Sequence, residues 1–575
     1  MNTVVFDIET DGLLDDLTRI VCLSYKENSE PVKTAHEPKD IEHALRVLQR
    51  ADCIAGHNLI CFDLPAIRKL HPWFRPEGVV RDTLVMSRLV FANLRERDME
   101  DAAKHKAMAS LPAQYVGSHS LKAWGYRLGL LKIELVDAVE DFKNIQYSES
   151  LREYCERDVA ITHRLYGMLM HNAPVDAVIL EHDFAQCIFD QMQNGFGFDL
   201  QAAAALYSNL SAERDALIDE LQTIVPPTEI QLKTKVKYIP FNPGSRQQIA
   251  KVLMDGGWKP EDYTPTGDPK IDETVLSKID DPIAVKFSRY LLLVKRIGML
   301  SEGTESWMKS EKGGRIYGYV NHNGAVTGRC THRNPNMAQV PSSSSPYGKE
   351  CRALFVAGPG MLLVGVDASG LELRCLAHYM AKYDGGSYAK ELLEGDIHTA
   401  NQQAAGLPTR NQAKVFIYGF LYGAGPAKIG AIVGGSYNEG KILQDKFLKK
   451  VPALRELRDD VQHAAKARGY LFGLDGRRLP IRSIHAALNT LLQSAGAIIM
   501  KKAALLMNDA LQSNGIDYRQ VAHIHDELQF EVKEDQADQA KRLLPSTITD
   551  AGKFFNFRCP LDGEARIGKN WSETH

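Results

Sequence analysis

Asp7 and Glu9 stand two apart at the end of an apolar run, Val4-Val5-Phe6. A strand puts residues i and i+2 on one face, so both carboxylates would project the same way. Side by side they repel, and a cation between them relieves the repulsion. Taken alone, Asp-x-Glu fits a solvated turn at a strand end better than a metal pair. Asn58-x-x-x-Phe62-Asp63 adds a third carboxylate after an apolar stretch. Tyr154-x-x-x-Asp158 sets a phenol and a fourth carboxylate on one face of a helix. Clustered hard oxygen donors are what two-cation hydrolysis of a phosphodiester requires, with the ions about 3.5–4 Å apart.

A second constellation lies further along the chain. Asp367-Ala368-Ser369-Gly370-Leu371-Glu372-Leu373-Arg374 follows the apolar run Leu362–Val366, which reads as a buried strand. Asp367 or Ser369 would equally serve there as a helix cap. Arg410, Lys414, Tyr418 and Tyr422 are spaced by four, so a helix would align them as a slowly drifting stripe. Cation, cation, aromatic suits a nucleoside triphosphate, through charge-assisted bonds to phosphates and a ring near the base. A solvated basic face with core aromatics has the same spacing. In His523–Phe530 alternating apolar residues flank Asp526-Glu527, which predicts a hairpin with the acids at its tip. His525 sits beside them, where turn chemistry favours Gly or Asn.

The chain that must position these groups has 575 residues, enough for about three to five domains. Hydrophobic residues at 44% and charged residues at 25% exclude disordered and fibrous classes. A net charge of −3 argues against a surface coated in basic charge, though not against a local basic groove. The total hides an asymmetry. Residues 1–190 carry 22 Lys and Arg against 30 Asp and Glu, a balance of −8, and the remainder stands at +5. The first part alternates strand-like and helical patterns, which predicts an α/β domain. Helical spacing runs from Glu181 to Val225, broken by a turn at Asn194-Gly195-Phe196-Gly197. The Pro-rich stretch from Pro226 to Gly244, with Lys233, Lys235 and Lys237, reads as a basic exposed loop. Nine cysteines without a C-x-x-C pair suggest neither a disulfide framework nor a zinc knuckle. The N-terminus lacks a signal-peptide pattern and no stretch reaches about 18 apolar residues, so a cytoplasmic protein without a membrane span is expected.

In order and spacing the N-terminal motifs resemble the three exonuclease motifs of proofreading 3′→5′ exonucleases of the DnaQ-like superfamily. The other three resemble motifs A, B and C of family A (pol I-type) DNA polymerases. Longer runs are similar to the replicative polymerases of T-seven-type podophages: Gly365 to Met380, Glu394-Gly395-Asp396-Ile397-His398-Thr399-Ala400-Asn401, Asn323 to Arg329, and His485 to Gly496. The resemblance implies an α/β multidomain chain, with an RNase H-like exonuclease domain followed by a right-hand polymerase. It implies exonuclease over 1–185, thumb over 186–314, palm over 315–380 and 488–575, and fingers over 381–487. By the same match Asp7, Glu9, Asp63 and Asp158 would hold two Mg²⁺ ions while Tyr154 orients the attacking water. Asp367, the carbonyl of Ala368 and Asp526 would hold two more, with Glu527 as an accessory acid and Mn²⁺ able to substitute. His398, Arg410 and Lys414 would contact nucleotide phosphates, Lys414 also as proton donor to pyrophosphate. Tyr418 would lie against the incoming sugar and base, and as Tyr rather than Phe it implies ready acceptance of dideoxynucleotides. Glu372 would crowd a ribose 2′-hydroxyl. Arg329, Gln493 and His525 would touch the minor groove at the primer end, where acceptors common to all base pairs report pairing shape.

The implied substrates are primer–template DNA and dNTPs, with a phage helicase-primase and a single-strand binding protein as expected partners of a monomer. Podophage relatives carry a large basic thumb insertion that recruits thioredoxin; the corresponding stretch here is only Pro226–Pro240, so thioredoxin binding is not expected. A single-subunit RNA polymerase shares the palm motifs, but Glu372 and the N-terminal acids argue against it. A non-catalytic descendant would have lost a metal ligand, and none is lost.

Overall fold

The computed structural model describes residues 2–104, 111–134, 145–231 and 235–575; Lys233 of the expected basic loop lies outside the described residues. The chain forms two compact units. One comprises residues 1–193, 320–331 and 364–566, the other residues 194–319, 332–363 and 567–575.

The first unit opens with strands β1 (Thr3–Thr10), β2 (Ile20–Glu27), β3 (Lys33–Ala35), β4 (Cys53–Gly56) and β5 (Val79–Asp82), in the sheet order β3-β2-β1-β4-β5. β1 runs antiparallel to β2 and parallel to β4. Its period of two does what the sequence predicts. Phe6 and Ile8 point into a core with Leu23, Ile54, Leu45 and Leu48, while Asp7 and Glu9 stay partly exposed on the other face. On that other face Val5 and Ala55 pack against Val159 of helix Glu149–Met170, whose neighbour in the chain is Asp158. Ser148 caps the helix by accepting from the Leu151 N–H. Helix Asp63–Leu70 begins at the third predicted acid. The loop before it is tied to Asp82, buried at the end of β5, which accepts from the Asn58, Ile60 and Leu84 N–H groups at 2.9, 3.1 and 2.9 Å.

In the second unit the expected turn at Asn194–Gly197 is a turn only at Gly195 (φ +61°). Phe196–Phe198 then forms a strand paired with Arg315–Ile316 and Phe355–Val356, because the apolar residues after the turn fit a buried sheet. Phe196, Phe355 and Trp571 meet with ring centroids 5.4–5.7 Å apart. The expected basic loop is exposed but is not a loop. Thr228–Gln231 and Val236–Ile239 pair as an antiparallel ribbon, in keeping with the strand-favouring Ile230, Val236, Tyr238 and Ile239.

The remainder of the first unit is built on a second sheet, in which Met361–Ala368 lies between Glu527–Lys533 and Gly563–Gly568, with Tyr518–Ile524 at one edge. Around it run helices Leu371–Asp384, Ile397–Ala405, Arg410–Leu421 and Ala487–Ser513. By length and mean hydropathy one helix, over Ile484–Ser513, could cross a membrane, although Asn489, Gln493, Lys501 and Lys502 interrupt its apolar run. It is a core helix, with 72% of that apolar window buried in the fold.

Asp82→Ala would leave three backbone donors without their acceptor. The expected loss is about 1–3 kcal/mol, read as a lower urea midpoint.

Candidate functional site

The N-terminal acids come together as the spacing requires. Ligand atoms of Asp7, Glu9 and Cys155 lie within 4.8 Å of one another. Asp63 and Asp158 are buried, and one oxygen of Asp158, Oδ1, has no hydrogen-bond partner among the described residues. Burial, and then the charges of Asp158, Glu9 and Asp63, push the Asp7 carboxyl well above its ordinary range. Burial and Asp158 raise Glu9 to about 7, and burial and Asp82 raise Asp63 to about 8. Crowded carboxylates that repel one another are relieved by a cation, and such hard oxygen donors could hold Mg²⁺ or Mn²⁺. The Cys155 thiol is driven by burial far above its ordinary range, so it stays protonated and points at Asp7, 3.7 Å from Oδ2.

Lys132 was not in the sequence reading. Its ammonium donates to Asp158 Oδ2 at 2.5 Å and lies 4.4 Å from the centre of the Tyr154 ring. It therefore supplies positive charge to an acidic cluster. Lys132 belongs to no motif, and only the surplus of acids in this region hints that a cation must be near.

In the second sheet, the end of strand Met361–Ala368 meets the turn of the hairpin. Asp526 accepts through its carbonyl from the Ala368 N–H at 3.1 Å, and the Asp562 carbonyl accepts from the Ser369 N–H at 3.0 Å. Gly563 allows this approach: a Cβ there would lie 3.2 Å from the Asp367 carbonyl and 2.5 Å from Ile548 Cδ1. Asp367 and Asp526 are thus held on neighbouring backbones. Asp367 does not cap the following helix, whose cap is Gly370 at φ +59°. The hairpin turn is His525-Asp526, one residue earlier than the expected Asp526-Glu527 tip, so Glu527 belongs to the strand; His525, at φ +58°, is a non-glycine residue in the left-handed position beside Asp526. Glu527 is buried and accepts from Gln529 Nε2 at 2.7 Å.

Glu372 is fixed from two sides. The Tyr422 hydroxyl donates to its Oε1, and Arg329 Nη2 stands 3.6 Å from the same oxygen. A cavity of about 20 Å³, room for about one water, is lined by Arg329, Glu372, Lys501, His525 and Asp526, among others. Burial and the Arg329 charge lower the His525 pKa. Gln493 donates to Asn489 Oδ1 at 3.0 Å one turn back on its helix.

The stripe of four is helical, with Arg410–Leu421 capped by Thr409 and Tyr422 just past the end. Lys414 is exposed, and Tyr418 lies with its ring 6.4 Å from that of His398. Burial, Glu372 and Asp526 raise the Tyr418 phenol, which ties the stripe electrostatically to the acids. Arg410 makes two bonds to Asp396, at 2.8 and 3.1 Å, and Asp396 also caps the preceding helix, Ile397–Ala405, through the His398 and Thr399 N–H groups. Asp396 lies in the Glu394–Asn401 run, where its spacing assigns it no chemistry.

A family model described as "DNA polymerase family A" matches residues 212–573. The chain belongs to DNA polymerase family A. It is 36% identical to the "DNA-directed DNA polymerase" of Escherichia phage T7, and likewise to that of Enterobacteria phage T3, over the full length of both chains in each case. The "DNA polymerase I" of Aquifex aeolicus is 26% identical over 99% of this chain and 95% of its own. Among solved structures, the POL domain of Pol1 from M. smegmatis, in complex with DNA primer-template and dNTP, shares the fold, with a TM-score of 0.76 at 21% identity. That match covers 99% of this chain and 96% of the other.

The raised carboxyls set a pH dependence. Glu9 and Asp63 ordinarily titrate at 4.5 and 3.8, so the folded protein binds their protons more tightly than the unfolded chain does. That stabilisation is complete below about pH 4 and is lost as pH rises through about 7–8. In metal-free buffer the melting temperature of the N-terminal sheet should fall between pH 5 and 8. Mn²⁺ should restore it more at pH 8 than at pH 5, and Asp7→Ala/Glu9→Ala should flatten both effects.

Proposed function

We infer that the protein is a DNA-directed DNA polymerase, extending a primer 3′-hydroxyl with dNTPs, whose N-terminal sheet carries a proofreading 3′→5′ exonuclease. The observation that carries the polymerase reading is the backbone contact that sets Asp367 beside Asp526, with Arg329 and Glu372 lining a cavity together with Asp526, and Tyr418 within electrostatic reach of that acid. Asp367, Asp526 and the Ala368 carbonyl would hold two Mg²⁺ ions, and Glu527 would stand behind them. When bound, such ions lower the pKa of the attacking hydroxyl and neutralise charge on the triphosphate. The remaining work is positioning by the chain itself. His398, Arg410 and Lys414 orient the phosphates by charge-assisted hydrogen bonds, and Lys414 passes a proton to the departing pyrophosphate. Arg410 must exchange Asp396 for phosphate oxygens to do so. Tyr418 packs on the incoming sugar and base. Glu372, held by Tyr422 and Arg329, excludes a ribose 2′-hydroxyl. Arg329, Gln493 and His525 read the primer end from the minor groove.

In the exonuclease, Asp7, Glu9, Asp63 and Asp158 would hold two Mg²⁺ ions and Tyr154 would orient the water. The raised carboxyls and the open oxygen of Asp158 support this reading. On it, residues 1–185 are the exonuclease, 186–314 the thumb, 315–380 and 488–575 the palm, and 381–487 the fingers. The protein would act as a monomer in a bacterial host cytoplasm, on primer–template DNA and dNTPs, with a phage helicase-primase and a single-strand binding protein. The alignment with the phage T7 enzyme runs over 713 positions where this chain has 575 residues, so that enzyme carries segments without a counterpart here. This supports a polymerase that works without thioredoxin.

Primer extension tests the assignment. Asp526→Ala should lower single-turnover incorporation by about 10²–10³-fold or more while leaving degradation of single-stranded DNA intact. Asp7→Ala/Glu9→Ala should do the reverse. An Asp526→Ala protein that extends primers at the wild-type rate contradicts the polymerase site. The wild type should also incorporate dideoxynucleotides readily, because the Tyr418 hydroxyl can replace the missing 3′-hydroxyl as a hydrogen-bonding group. Tyr418→Phe should reduce that acceptance by about tenfold or more, with little change for dNTPs.

A further inference from the structure

Glu181, on helix Val175–Asn194, has no exposed surface. Its Oε1 accepts from Lys501 Nζ at 2.5 Å and pairs with Arg477 Nη2 at 2.7 Å, and its Oε2 bonds His322 Nδ1 at 2.8 Å. Arg477 in turn forks onto Asp475, with Nε to Oδ1 at 3.0 Å and Nη2 to Oδ2 at 2.5 Å. Lys501, Arg477, His322 and Asp475 are all buried. Two acids and two bases cancel, and burial keeps His322 neutral by lowering its pKa. A balanced buried cluster adds little net stability over apolar packing, but breaking one partner leaves a charge stranded. What such a cluster can fix is relative position.

Each partner of Glu181 leads to one of the groups proposed to read the primer end. Arg477 Nη1 is buried, without a hydrogen-bond partner among the described residues, and lies 2.6 Å from where a Cβ on Gly328 would stand. Gly328, at φ +82°, precedes Arg329 in the chain, so Arg477 abuts the backbone that aims Arg329. His322 opens the segment that ends there, where the Ala325 carbonyl accepts from the Gly328 N–H and the Arg329 carbonyl from the Ala325 N–H. Lys501 lines the same small cavity as Arg329, Glu372, His525 and Asp526. It also shares helix Ala487–Ser513 with Gln493, about 12 Å along the axis at 1.5 Å per residue. Phe184, one turn on from Glu181, meets His523 edge to face with ring centroids 5.0 Å apart and lies 5.2 Å from the Lys501 ammonium. His523 is on the strand that delivers His525 and Asp526.

We propose that Glu181 is a positioning residue for nucleotide addition: it holds the Arg329 turn, the Gln493 helix and the His525 strand in one register, so that pairing shape at the primer end is sensed. The proposal rests on the assignment of those three residues to the minor groove. Glu181 touches neither DNA nor nucleotide, and acts through Arg477, Lys501 and His322.

The test uses full-length protein carrying Asp7→Ala/Glu9→Ala, so that hydrolysis does not interfere. Its substrates are primers ending in guanine or in 3-deazaguanine, which lacks the minor-groove acceptor nitrogen. The parent protein should extend the deaza primer more slowly, and Arg329→Ala should erase that penalty. Glu181→Gln should erase most of it too, lower kcat on the normal primer by about tenfold, and leave the dNTP KM within about twofold, because a small misplacement suffices for such a loss. A mispaired primer end should also be extended relatively faster. Should Glu181→Gln fail to fold, Glu181→Gln/Lys501→Met keeps the charges balanced and must show the same loss of discrimination. A folded Glu181 variant that keeps the full deaza penalty and mispair discrimination overturns the proposal, with Arg329→Ala still erasing the penalty. If Arg329→Ala itself keeps the penalty, the minor-groove assignment has failed and the proposal falls with it.

Discussion

Like charges held at close range repel, and the fold spends much of its rigidity on keeping carboxylates together against that repulsion. In the N-terminal sheet the period of a strand fixes Asp7 beside Glu9, while a loop anchored on Asp82 and a helix capped by Ser148 bring in Asp63 and Asp158. In the second sheet a strand end and a hairpin turn are locked backbone to backbone, and Gly563 makes room for the third strand. Both arrangements use sheets, whose dense ladders resist the displacement that separating the acids would allow. Counter-charge then comes from whatever the site will accept: Lys132 at the first, and divalent cations at both on the reading given above.

The near-neutral total charge hides a division along the chain. An acidic first segment, at −8, and a mildly basic remainder, at +5, nearly cancel. A DNA-handling enzyme need not be basic overall if its cations line only a groove, and salt should still weaken its grip on DNA steeply.

Much of each site was legible in the sequence because helices and strands have fixed periods. Asp7 and Glu9 share a face, Arg410 to Tyr418 form a stripe on one helix, and Asp526 sits on the two-residue turn of Tyr518–Lys533, as spacing dictates, whereas Glu527 falls one residue past the turn and is buried in the strand. Pairs made by tertiary packing have no such rule. Glu181 and Lys501 are 320 positions apart, and Lys132 lies in a loop 26 positions before Asp158, so nothing local marks them. The misreadings at Gly195–Phe198 and Thr228–Ile239 have a related cause. Gly and Pro signalled a break, but the apolar residues beside them could pair as strands, and the partner strand of the first lies far along the chain. The long apolar helix Ala487–Ser513 shows the converse: burial inside a large unit needs apolar residues on every side, so its composition imitates a membrane span.

The central claim is that these carboxylates work by binding divalent cations at two separate places. Titration of Mn²⁺ into the protein, followed by loss of the free-ion electron paramagnetic resonance signal, tests it most directly. The account predicts that Asp7→Ala/Glu9→Ala removes one group of bound ions in the free protein, while Asp367→Ala/Asp526→Ala removes another once primer–template and a non-incorporable nucleotide are present. Mn²⁺ uptake unchanged in both double variants would contradict it.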